Sequence, residues 1–182
     1  MLHKSCLKLL IGFVLIFSFH LKIASADQGL PPLTHKLTAL KHPATVPKLA
    51  LMDMDGTRID IKDLKGKVVI LNFWATWCPP CRREMGSLER LHLATKNHNV
   101  VMLAVNIGED EDTIFSFLGT VEPSPSFPIL LDAEGQSMNA WGVKGLPTTY
   151  IINQQGKVVY QAVGGRQFDH PDIIKQVQGL LK

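Results

Sequence analysis

Val68-Val69-Ile70-Leu71-Asn72-Phe73-Trp74-Ala75-Thr76-Trp77-Cys78-Pro79-Pro80-Cys81 is the stretch from which the rest of the chain is read. Residues 68–74 are nearly all apolar and β-prone, the composition of a central strand covered on both faces. Ala75-Thr76-Trp77 leads off that strand to two cysteines three positions apart. From Pro79 to about Asn97 the apolar residues Met85, Leu88, Leu91 and Ala94 recur at helical spacing. Two prolines are tolerated at its start, because the first N–H groups of a helix have no intrahelical acceptor. A thiolate at a helix start faces those N–H groups and the positive end of the helix dipole, which makes it a better nucleophile. Cys81, one helical turn on, can close a disulfide with Cys78. A two-electron dithiol/disulfide switch is therefore the leading reading of the pair.

The N-terminus decides which compartment that switch works in. His3, Lys4 and Lys8 lead into an apolar run from Leu9 to Phe19, and Ala24-Ser25-Ala26 follows. This is the pattern of a cleaved signal peptide over residues 1–26. The run falls short of the roughly 20 residues a spanning helix needs, so a retained membrane anchor is the secondary reading. Cys6 precedes the apolar run and does not sit where a lipoprotein cysteine would. Residues 1–26 contain three of the chain's 19 basic residues and none of its 16 acidic ones, so the remainder balances at zero. The sequence pI of 8.8 thus belongs mostly to the signal and is no argument for nucleic-acid binding. Loss of the signal also removes Cys6 and leaves Cys78 and Cys81 as the only cysteines.

An exported protein meets an oxidising space, where a C-x-x-C pair can also be a structural bridge. So small a loop restricts the unfolded chain little, which weakens that alternative. A zinc site wants about four ligands, and no histidine stands at ligand-like spacing near the pair.

Outward from the centre, residues 27–44 hold Pro31, Pro32 and Pro43 and read as an irregular lead-in, with room for part of it to order against the domain. The domain itself is placed at 45–182. Leu49–Asp53 and Arg58–Ile61 read as a hairpin about Asp55-Gly56. Val100–Asn106 is a second buried strand. Glu109-Asp110-Glu111-Asp112 reads as a solvated helix start, and the helix continues through Leu118. A three-proline loop, a short strand at 129–131 and a short helix at 136–141 follow. Tyr150–Ile152 and Lys157–Val163 form a hairpin with Gly156 at its turn. Asp169 is placed as the cap of a last helix. The order predicts an α/β sheet with helices on both faces, preceded by an extra hairpin.

Three blocks carry a resemblance: Asp63-Leu64-Lys65-Gly66-Lys67-Val68-Val69, then Leu71 through Arg82, then Gly145-Leu146-Pro147-Thr148-Thr149-Tyr150. Together they resemble the thioredoxin fold, and more closely the exported TlpA/ResA-like thiol–disulfide oxidoreductases, over roughly residues 45–182. The resemblance implies an α/β thioredoxin-like fold: a central mixed β-sheet, helices on both faces and an extra N-terminal β-hairpin. It implies that Cys78 is the exposed attacking thiol and Cys81 the buried resolving thiol. It implies that Pro147 is a cis-proline and that the Leu146–Pro147 region presents backbone to an extended partner peptide. Pro79 and Pro80, between the cysteines, and Trp77, beside them, complete the expected contact surface. Plain packing is the alternative for Trp77.

Two positions depart from related patterns. Ordinary thioredoxins carry a buried aspartate where this chain has Asn72, and an amide cannot exchange the proton. TlpA/ResA-like proteins often use a glutamate three residues past the second cysteine, where Glu84 stands. Glu84 is therefore the expected proton-handling residue, with its pKa raised by burial. The bland alternative is a surface glutamate paired with an arginine. Gly86 occupies the position of a family proline that kinks the helix, and glycine permits a bend without imposing one.

The expected activity is thiol–disulfide exchange on disulfide-bearing exported proteins, such as apocytochrome c or copper-site proteins, with no organic cofactor and no metal. By resemblance, the electrons come from a membrane donor of the DsbD/CcdA type. The expected location is periplasmic or otherwise extracytoplasmic. An oxidant that introduces disulfides shares the reaction type, and a binding module or chaperone without turnover is the rival from another class. A peroxidase is disfavoured, because Cys78 lies in W-C-P-P-C rather than in a threonine- and proline-bearing peroxide loop.

Overall fold

The computed structural model describes residues 32–181. The signal reading and Cys6 fall outside the described residues. In chain order come β1 (Thr38–Thr45), the hairpin β2 (Ala50–Met52) and β3 (Arg58–Asp60), a 3-10 turn (Ile61–Leu64), β4 (Val68–Trp74) and α1 (Pro79–Thr95). They are followed by β5 (Val100–Ile107), α2 (Glu111–Leu118), β6 (Ile129–Asp132), α3 (Gln136–Ala140), β7 (Thr148–Ile152), β8 (Lys157–Val163) and α4 (Pro171–Gln178).

Six strands form one mixed sheet in the order β1-β8-β7-β4-β5-β6. β4 is central, parallel to β5 and antiparallel to β7, and all seven of its residues are buried. Its alternating side chains feed two cores. Val68, Ile70 and Trp74 pack with Met85, Leu88 and Leu91 of α1, with α2 and with α4. Val69, Leu71 and Phe73 pack on the other side with Ile61, Trp141 and Val143. A strand covered on both faces needs an almost unbroken apolar run, and residues 68–74 supply it. The exception is Asn72, which lies in the row of Ile70 and Trp74 and is aimed at α1.

The hairpin β2–β3 turns at Asp53–Thr57, with Asp53 Oδ1 accepting from the N–H groups of Asp55 and Thr57 at 3.0 and 2.7 Å. It docks beside β6, where Met54 N–H donates to the Ile129 carbonyl at 3.1 Å. The β7–β8 turn closes through Gly156, whose φ of +71° is open to glycine at little cost. Among the described residues, no helix is long and apolar enough to cross a membrane.

Two expectations change. Residues 38–44 of the irregular lead-in, together with Thr45, are an edge strand, β1, paired antiparallel with β8. Its register slips between Ala39 and Ala44, and Pro43 lies inside that slip. An edge strand with an interrupted ladder is where a proline does not break pairing, which is why the stretch did not read as a strand. The cap of α4 is His170, whose Nδ1 accepts the Asp172 N–H at 3.2 Å. Asp169 instead accepts a 2.6 Å bond from Arg90 Nε of α1.

Candidate functional site

The site forms where β4 hands over to α1. After Trp74 the chain turns through Ala75–Trp77, with Cys78 N–H donating to the Ala75 carbonyl at 3.3 Å. Cys78 is the extended N-cap residue, and Pro79 and Pro80 occupy the first helical positions. Cys78 and Cys81 are joined as a disulfide, their Cα atoms 5.3 Å apart. Cys78 is 3% exposed and Cys81 is fully buried, so the expected exposed thiol shows only a narrow face in the oxidised form. Both cysteines belong to the larger apolar core, which explains the low exposure. Trp77, by contrast, is 65% exposed beside them, and Pro79 is exposed as well. Plain packing is therefore not what Trp77 does.

The Leu146–Pro147 peptide bond is cis, and so is Glu122–Pro123, which the reading of a three-proline loop did not anticipate. Phe73 of β4 pairs with Thr148 of β7, so Pro147, the residue before Thr148, lies at the sheet end where β4 runs out toward the cysteines. Its carbonyl accepts from Gly164 N–H at 2.8 Å, which ties the loop to the segment after β8.

Behind the disulfide, Glu84 is completely buried on α1. One carboxylate oxygen accepts from Asn72 Nδ2 at 2.8 Å and the other from Arg166 N–H at 2.8 Å. Burial pushes its pKa up to about 8, against the opposing pull of those two donors. The alternative of a surface glutamate paired with an arginine does not survive this burial: the contact is with Arg166 backbone. Asn72 Nδ2 also donates to Thr149 Oγ1 at 2.9 Å, while its Oδ1 has no partner.

Glycines let the surrounding segments approach. At Gly86, in mid-helix, a Cβ would lie 2.7 Å from the Glu122 carbonyl oxygen. Gly86 thus allows the proline loop to close onto an unbroken α1. At Gly165 a Cβ would meet Leu33 Cδ2 at 2.6 Å and Pro80 Cβ at 3.2 Å. The 164–166 segment passes so close to the helix start that it brings Arg166 N–H to Glu84.

A further residue was missed. Glu109, read as part of a solvated helix start, is half-buried and turned toward the site. Its carboxylate accepts from Thr76 N–H and Asn106 Nδ2, each at 2.7 Å, and from Thr76 Oγ1. The turn ahead of Cys78 is held by this one side chain, together with Arg82 Nη1 donating to the Thr76 carbonyl at 3.2 Å. The signal lay in topology: parallel neighbours β4 and β5 end side by side, so the residues just past them meet. Asp110, the next acid, does cap α2 through Thr113 N–H at 2.8 Å.

The fold and this strand–helix junction define a thioredoxin-like redox domain: residues 39–176 match the Redoxin family model, and the chain belongs to that family. Among its relatives are the thiol-disulfide oxidoreductases ResA of Bacillus subtilis, 41% identical over 118 residues (65% of each chain), and of Bacillus thuringiensis strain Al Hakam, 35% identical over 136 residues (75% of this chain and 74% of that one). The match spans just under two thirds of the length of the B. subtilis relative. A Chlorobium tepidum crystal structure, assigned provisionally to the thiol:disulfide interchange protein DsbE, is 31% identical. It aligns with a TM-score of 0.70 over 81% of this chain and all of that one.

Proposed function

We propose that the chain is an exported thiol–disulfide oxidoreductase that reduces disulfides in other exported proteins. The observation that carries this reading is the Cys78–Cys81 disulfide at the first turn of α1, with Cys81 fully buried and Cys78 next to the exposed Trp77 and Pro79. The ResA relatives support the reaction class, and the signal-like N-terminus supports export.

In the reducing direction, the Cys78 thiolate attacks one sulfur of a substrate disulfide. That S–S bond breaks, the departing substrate sulfur takes a proton, and a mixed disulfide forms. Cys81 then gives its proton to the Glu84 carboxylate and attacks Cys78 Sγ. The second substrate sulfur leaves as a thiolate and is protonated by solvent. The substrate gains two electrons and two protons, and the protein ends as the Cys78–Cys81 disulfide with Glu84 protonated. A pKa of about 8 in that oxidised form is the value such an acceptor needs to keep the proton at neutral pH. Trp77, Pro79, Pro80, Leu146 and cis-Pro147 form the surface on which an extended substrate segment lies. Apocytochrome c and copper-site proteins are the substrate classes the family resemblance suggests, and a membrane donor of the DsbD/CcdA type restores the dithiol.

The reduction potential tests the direction. A value more reducing than about −200 mV is expected, and one near −120 mV, the strongly oxidising end, would reverse the assignment.

A further inference from the structure

Three metal-ligating side chains gather from two separate segments: His35 from the irregular stretch before β1, and His170 and Asp172 from the start of α4. We propose that they form a binding site for an imidazole-preferring divalent transition metal, with Zn2+ as its probe.

The two imidazole rings stack with centroids 3.8 Å apart and planes within 12°. One ligand atom from each of the three side chains lies within 4.8 Å of the other two. Asp172 Oδ2 lies 3.8 Å from His35 Nε2 and 3.6 Å from His170 Nδ1. Ligand atoms that share one tetrahedral zinc at about 2.0–2.2 Å stand roughly 3.4 Å from one another. A zinc ion lies in the plane of each imidazole that binds it, so both rings must turn out of their parallel stack, and His170 must present Nε2 or give up its cap bond, for the set to close on one ion. Helix capping accounts for His170 Nδ1, which accepts the Asp172 N–H, and it leaves His170 Nε2 outside that role.

The segment bearing His35 is already fixed. The Thr34 carbonyl accepts from Gln167 N–H at 2.7 Å, and the Lys36 carbonyl accepts from Arg166 Nε at 2.8 Å. The backbone that carries His35 is thus in place, and the movement left is that of the side chains. Lys36 and Lys175 line the same recess of about 360 Å³. One carboxylate beside two ammonium groups is a poor site for Ca2+ or Mg2+, which are held by charge and oxygen ligands. Two imidazoles favour Zn2+ or Cu2+ instead, with water completing the coordination.

The test is Zn2+ competition against a chromophoric chelator, using untagged protein in the disulfide form so that no thiolate can bind. One equivalent is expected. His35→Ala and Asp172→Asn should each weaken binding by more than about tenfold, while His98→Ala leaves it unchanged. His35 lies outside every helix, so its replacement leaves the α4 cap in place and keeps the comparison valid. Cu2+ bound to the wild type should show hyperfine coupling to two imidazole nitrogens, reduced to one in His35→Ala. No uptake by the wild type, or equal affinity in His35→Ala, would overturn the proposal.

Discussion

Glu84 Oε1 accepts a 2.8 Å hydrogen bond from Asn72 Nδ2, which joins the centre of β4 to the first turns of α1 inside the core. The pair explains how a buried acid can exist there at all. Two donors satisfy its oxygens, yet desolvation outweighs them and keeps the proton bound up to about pH 8.

That raised pKa has a consequence for stability. Between about pH 4.5 and 8 Glu84 is protonated in the folded disulfide form and ionised in the unfolded chain. The folded state then binds the extra proton, so this contribution is fully present below pH 4.5 and is lost as pH rises toward 8. Denaturant titrations of the oxidised protein at pH 5 and 7.5 should show a fall that Glu84→Gln abolishes, with a slope of up to about 1.4 kcal/mol per pH unit. The pH profile of thiol alkylation in the reduced protein should change with it. Identical pH dependences in wild type and Glu84→Gln would count against a proton-handling role.

Asn72→Asp places a second carboxyl within hydrogen-bond reach of Glu84. Two carboxyls so close cannot both ionise readily, so one pKa of the pair must rise. The stability break near pH 8 should move up by at least about one unit. An unmoved break would mean that residue 72 and Glu84 are not electrostatically coupled.

Gly86→Ala sets two effects against each other. Alanine gains about 1 kcal/mol of helix propensity, but its Cβ would lie 2.7 Å from the Glu122 carbonyl oxygen, and relieving such overpacking costs about 1–3 kcal/mol. A net loss of up to about 2 kcal/mol is expected from thermal or denaturant unfolding. Stabilisation by the full propensity term would show that the proline loop yields freely.

Glu109→Ala leaves Thr76 N–H, Thr76 Oγ1 and Asn106 Nδ2 without their acceptor. Stability should fall by about 2 kcal/mol, the scale for stranding part-buried donors. Disulfide exchange should slow beyond what the stability loss explains, because the turn before Cys78 loses its tether. Unchanged exchange kinetics would reduce Glu109 to a structural residue.

Much of this was legible in the residues. A strand buried on both faces needs an apolar run, and 68–74 is one; the lone polar Asn72 in it marked where the core turns chemical. The i+3 spacing from Cys81 placed Glu84 on the right helix face. What stayed hidden depends on tertiary approach. Glu109 acts on a turn 33 residues away, and no local pattern distinguishes it from the acids that follow. Arg166 contributes a backbone N–H, for which the side-chain type is silent. β1 was obscured by Pro43, and His170 capped α4 where the neighbouring aspartate looked the better candidate.

The central claim is that Cys78 attacks and Cys81 resolves. The direct measurement is mass spectrometry of the adduct formed when the reduced Cys81→Ser protein meets a disulfide-bearing protein such as insulin. A stable mixed disulfide through Cys78 is predicted, absent from Cys78→Ser and released in the wild type. No adduct in Cys81→Ser, or equal trapping by Cys78→Ser, would contradict the account.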